Sequence, residues 1–180
     1  FNETGNNNTA IGSNSLENNA ANENTAIGSG ALFTNTLGYS NTAIGFEALN
    51  LNTTGTGNVA VGIGSLLNNT TADLNTAVGS GSLRQNTGDK NTAVGAGALE
   101  LNISGTANVA MGVHALQHNT VSNNTAIGYY SLQANTTGVN NTALGYQSLY
   151  SNTTHKDNTA VAYYSLRANT GGENNTAVGS

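Results

Sequence analysis

Apolar and polar positions in this chain recur in a frame that returns every 16 or 17 residues. The frame opens on the string Asn-Thr-Ala-Ile/Val-Gly, whose first Asn falls at Asn8, Asn24, Asn41, Asn58, Asn75, Asn91, Asn108, Asn124, Asn141, Asn158 and Asn175. That makes ten complete units and the start of an eleventh. Counted from that Asn, the third position is always Ala and the fourth is always aliphatic or Met. The fifth is Gly except at Ala162, the eighth is Ser or Ala, the ninth is Leu and the twelfth is Asn. The length change falls after the twelfth position, in stretches such as Thr53-Thr54-Gly55, and tolerance of insertion there predicts a surface turn.

A unit this short cannot bury a core alone, so neighbouring units must stack. Helical repeats need 30 or more residues, and the unit therefore predicts one coil of an all-β solenoid, about ten coils long. Strand spacing of about 4.8 Å makes that a rod of roughly 48 Å. The expected interior holds two apolar stripes, the fourth-position Ile/Val row and the ninth-position Leu row that includes Leu49, Leu66, Leu83 and Leu99. The first-position row, with Asn41, Asn58, Asn75 and Asn91, and the twelfth-position row, with Asn52, Asn69, Asn86 and Asn102, have two readings. Stacked amides can hydrogen-bond along the rod as ladders, or each Asn can open a turn. Residues 1–180 read as a single repeat array, a segment of a longer fibre, and its uncapped coils expose strand edges that invite end-to-end stacking.

Composition narrows the function classes. Charged residues are 7% of the chain, Pro, Cys and Trp are absent, and Gly occurs 23 times. Absence of Cys removes disulfide and thiolate chemistry. Four basic residues, Arg84, Lys90, Lys156 and Arg167, and a net charge of -5 argue against nucleic acid as partner. No apolar run reaches the roughly 20 residues of a membrane helix, so membrane insertion is not expected. β-Branched residues are plentiful and charge is scarce, the reverse of a disordered chain.

The pattern Asn-Thr-Ala-Ile-Gly-x-x-Ala/Ser-Leu-x-x-Asn-Thr-Thr-Gly, as in 41–55 and 124–138, resembles a repeat of phage tail fibres and bacterial surface fibres. It is also similar to the head repeats of YadA-type trimeric autotransporter adhesins. The resemblance spans essentially the whole chain. It implies a left-handed parallel β-roll, a homotrimer of such rolls, an extracellular fibre on a cell surface or virion, and a role in attachment without enzymatic activity. The units here are longer than the usual YadA-type unit. A second resemblance is to grass antifreeze proteins, which use Asn-Thr-Val-x-Gly coils. Here Thr fills the second position except at Val59 and Val109, so a regular Thr face is an ice-binding alternative, and a self-assembling extracellular filament is another.

Candidate chemistry is sparse, and no cofactor or metal site is expected. His114 and His118 are four apart, but Ala115 stands where a zincin motif has Glu. His155 is expected in a solvated turn. Eighth-position Ser alternates with Ala and reads as filler, and Asp73, Asp89 and Asp157 lack a calcium-binding repeat signature. Sequons at Asn52, Asn69, Asn102, Asn135 and Asn152 recur with the repeat. The aromatics are the strongest candidates. Tyr129, Tyr146 and Tyr163 occupy the sixth position of successive coils, Tyr130 and Tyr164 the seventh, and Tyr150 the tenth. Such a strip suits packing between chains, or contact with a cell-surface glycan or receptor. Arg84 and Glu100 share the tenth position of adjacent coils and are expected to form an exposed ion pair.

Overall fold

A computed structural model describes residues 5–180. Eleven three-residue strands, from β1 (Thr9–Ile11) to β11 (Thr176–Val178), form one parallel sheet in chain order, and no helix occurs among the described residues. Every strand pairs position for position with the next, for example Thr42 with Val59, Ala43 with Ala60 and Ile44 with Val61. The chain is thus a β-solenoid of about ten turns, the architecture the repeat predicts.

The register has a direct cause. Parallel neighbours cannot be joined by a hairpin, and here one 16- or 17-residue coil makes each crossover. A slip by one residue would put second- and fourth-position side chains in place of Ala inside. Ala26 through Ala160 at the third position are fully buried, and a larger group there would overpack the interior.

That alternation corrects the expected core. The fourth-position row faces outward: Ile44, Met111 and Leu144 are all exposed. In a strand, successive side chains point to opposite faces. Once Ala takes the inside, Thr and Ile/Val on either side of it must both face out. The buried apolar stripe consists of Ala at the third position, Ala or Ser at the eighth and Leu at the ninth. Most buried eighth-position hydroxyls are satisfied inside their own coil, as Ser65 donates to the Gly62 carbonyl (3.0 Å) and Ser82 to that of Gly79 (2.9 Å), whereas Ser165 donates to the Ala177 carbonyl of the next coil. This explains why Ser and Ala exchange freely.

The opposite interior wall is made of amides. Each twelfth-position side chain donates to the preceding one, with Asn52 bonding Asn35 at 2.7 Å and Asn102 bonding Asn86 at 2.8 Å. It also donates to a carbonyl in its own turn, such as Gly55 for Asn52. At the first position, backbone N–H donates to the Oδ1 of the preceding Asn, as in Asn58 to Asn41 and Asn91 to Asn75, both 2.9 Å. The side-chain amide then closes its own coil, Asn41 onto Gly55 and Asn58 onto Ala72. Of the two sequence readings, both operate at once, because an amide has enough donors and acceptors to serve ladder and turn. Asn75 is an exception. Its Nδ2 is buried with no partner, while the Gly88 carbonyl in its coil accepts from Asn86 and Asn91.

Backbone conformation sets the corners. All ten ninth-position Leu residues lie at positive φ, between 49° and 53°. The left-handed conformation costs a non-glycine residue roughly 1–2 kcal/mol, and burying a Leu side chain contributes about 1.5–3 kcal/mol. Leu is therefore held left-handed by what it buries. At the fifth position φ is near 130°, and a Cβ on Gly62 would come within 2.6 Å of the Gly79 backbone in the next coil. Ala162 alone accepts this conformation with a side chain, at φ 135°.

Candidate binding surfaces

Two outer surfaces carry most of the chemistry. The first is the outer face of the sheet. Thr at the second position, or Val at β4 (Val59–Val61) and β7 (Val109–Met111), runs beside the fourth-position Ile/Val/Met/Leu row. Both rows repeat at the strand spacing, so this face is a flat lattice of methyls and hydroxyls.

The second surface is formed by the sixth, seventh and tenth positions, and it changes character along the rod. In the coils from 124 to 167 it is an aromatic ridge. Tyr129, Tyr146 and Tyr163 stack with centroids 5.5 and 5.3 Å apart and planes within 5° and 13°. Tyr130 meets Tyr129 edge-on at 4.3 Å, Tyr150 meets Tyr130 at 6.4 Å, and Tyr164 lies 4.0 Å from Tyr163. All six predicted Tyr residues are thereby brought together. Sequence reasoning missed two members. His114 stacks on Tyr130 at 5.3 Å, and the Arg167 guanidinium lies 4.8 Å from the Tyr164 ring and 5.5 Å from that of Tyr150. Register would have found both, since His114 precedes Tyr130 at the seventh position and Arg167 follows Tyr150 at the tenth. Stacked ring faces are turned to one another, which leaves less flat surface for a ligand than a row of isolated Tyr side chains would. The Tyr129 phenol is held above its ordinary range, chiefly by its hydrogen bond with Tyr130 and then by burial, and Tyr163 is raised in the same way by Tyr164.

Earlier in the rod the same surface is a trench. Its floor is Gly64 and Gly81, where an added Cβ would meet nothing within 4 Å. Phe46, Ile63 and Leu67, with Glu47 and Arg84, border a concavity of about 260 Å³ there.

Other candidates are already occupied or unsupported. Glu100 accepts from Gln117 at 2.9 Å, and Gln117 from Gln133 at 2.8 Å, so the tenth-position row makes an amide–carboxylate ladder. The expected Arg84–Glu100 pair is not formed, although Gln85 N–H bonds the Glu100 carbonyl at 3.0 Å and the coil register is as expected. Asp73 accepts from the backbone and hydroxyl of Thr56, Asp89 from the backbone of Asp73, and Asp157 from Asn140. No group of three or more metal-ligating side chains occurs among the described residues. His155 is half-buried instead of solvated: its carbonyl accepts from Asn141 and Asn152, and its Nδ1 is buried without a partner. The sequon residues Asn52, Asn69, Asn102, Asn135 and Asn152 are fully buried ladder members, so a glycan cannot be attached to them in the folded chain.

No family model, curated protein or solved structure matches the chain.

Proposed function

We propose that this chain is a stiff segment of an extracellular fibre that acts in attachment, and that it associates with copies of itself, as a homotrimer, through the outer face of its sheet. One observation carries the reading: the invariant fourth-position aliphatic row faces outward, with Ile44, Met111 and Leu144 exposed. An apolar stripe along a whole rod is larger than a soluble monomer ordinarily leaves in water. The resemblance to adhesin and tail-fibre repeats supplies the number three, the left-handed coil and the extracellular setting. The Tyr ridge lies outside that interface. Light scattering on the purified chain tests this. A mass of about three times 18.2 kDa, or a multiple of it, is expected, and Leu144→Asp together with Ile127→Asp should lower it. A single 18.2 kDa species would overturn the reading.

The same face supports a second reading. Thr and Ile/Val side chains share one regular outer lattice, the arrangement an ice-binding monomer uses. Thermal hysteresis at millimolar concentration, from a monomer, would establish this in place of the fibre. One face cannot serve both roles at once.

A further inference from the structure

The ridge and the trench lie on one surface, in the same three rows, at equal distances from one coil. Gly64 and Gly81 sit three and two coils before His114, and Tyr164 and Gln147 sit three and two coils after it. The geometry points to pairing of this surface with itself: a two-fold axis perpendicular to the rod, at the coil of Val113 and His114, lays each chain's ridge in the other's trench.

Size and charge fit at the coils of Gly64 and Gly81. Under that symmetry the seventh-position Tyr164 stands over Gly64, and Gln147 over Gly81, where a side chain finds open space. At the sixth position Tyr146 stands opposite Ser80. At the tenth, Tyr150 stands opposite Arg84, which has no ion-pair partner in its own chain among the described residues. Arg167 already stacks on Tyr150 and Tyr164, so an arginine over this cluster is a contact the protein makes once within the chain. The same axis brings Arg167 within one coil of Glu47 at the mouth of the trench. Rods with one strand spacing of about 4.8 Å stay in step over the whole contact.

Only the antiparallel arrangement satisfies both chains. Parallel rods in register set ridge against ridge and trench against trench. Parallel rods slid by several coils make one such contact and leave the other ridge and trench uncovered. The two-fold pair is isologous and closes on itself. It uses the sixth, seventh and tenth positions, and so is independent of any association through the second and fourth.

The absence of Cys makes the test direct. Glu100 and Gln133 lie at the tenth position one coil before and one coil after the axis, and Gln117 lies on it. Mild oxidation of mixed E100C and Q133C chains should give the mixed disulfide in at least about ten-fold excess over either homodimer. Q117C should link to itself. Gly81→Arg, which fills the trench without meeting its own coil, should suppress both products while circular dichroism stays unchanged. No cross-link, self-linking of E100C at the level of the mixed product, linking of E100C to Q117C, or insensitivity to Gly81→Arg would each overturn the pairing. Gly81→Arg should bring the mass down to that of the outer-face trimer alone, about three times 18.2 kDa, which separates failure of the pairing from failure of the fibre reading.

Discussion

The two walls of the solenoid interior are equally buried and built on opposite principles. On one side, Ala and Leu fill space and make no directional demand. On the other, Asn rows of the first and twelfth positions are fully buried polar groups in which nearly every donor and acceptor is used. The difference shows what a thin coil requires. Apolar stacking sets register only by volume, through the small Ala row, and a Leu stripe alone slides easily. Amide ladders contribute only about 1 kcal/mol per bond net, yet an unpaired buried amide is costly enough to penalise every wrong register. The apolar wall supplies stability, and the amide wall adds to the Ala row a directional penalty on wrong alignment.

Four substitutions bear on that contrast, from the largest expected effect to the smallest. Leu83→Ala opens a cavity in the middle of the Leu stripe, and chemical denaturation should show a loss of about 2–5 kcal/mol. A loss under 1 kcal/mol would mean that the stripe collapses readily. Asn58→Ala leaves the buried N–H of Asn75 without its acceptor, and should cost about 1–3 kcal/mol. Asn75→Ala orphans the N–H of Asn91 in the same way, but also removes an amide that already has no partner. Its cost should therefore fall below that of Asn58→Ala, and equal losses would count against the ladder account. Ala162→Gly relieves the one side chain at the strained fifth-position corner, and should raise stability by about 1 kcal/mol. A loss instead would mean that the methyl contributes packing that the corner conformation does not predict.

The outer surface repeats the lesson in another form. At the seventh position Gly64 and Gly81 give a trench, and His114, Tyr130 and Tyr164 give a ridge, with the same left-handed backbone beneath both. The fold constrains φ at that row and leaves the side chain free, so this is where sequence can vary to make a surface. Inner rows show the reverse, with little variation in residue and none in role.

Much of this was legible in the repeat. Coil length, strand order, pairing of like positions and the surface turn follow from spacing alone. So does the gathering of six Tyr residues, because stacking in register converts equal positions into neighbours. Besides His155, which is half-buried where a solvated turn was expected, two things were misread. The fourth-position row was expected inside because it is apolar, and the Arg84–Glu100 pair because opposite charges share a position. In the first case apolarity says nothing about which face of a three-residue strand is inward. In the second, Gln117 competes for Glu100 from the next coil, and an exposed ion pair is too weak to prevail over it. Ten left-handed Leu residues gave no local signal at all, since Leu has no intrinsic preference for that conformation.

The sequence by itself determined the period, and with it the solenoid and the register, because identical short units can bury their rows only by stacking. The tertiary structure decided which rows are inside. That choice turns on volume: third-position Ala, eighth-position Ala or Ser, Leu and two Asn occupy the interior, and an Ile or Val in place of the Ala would overpack it. It consequently also decided that the invariant aliphatic row is left on the outer face, available to another copy of the chain.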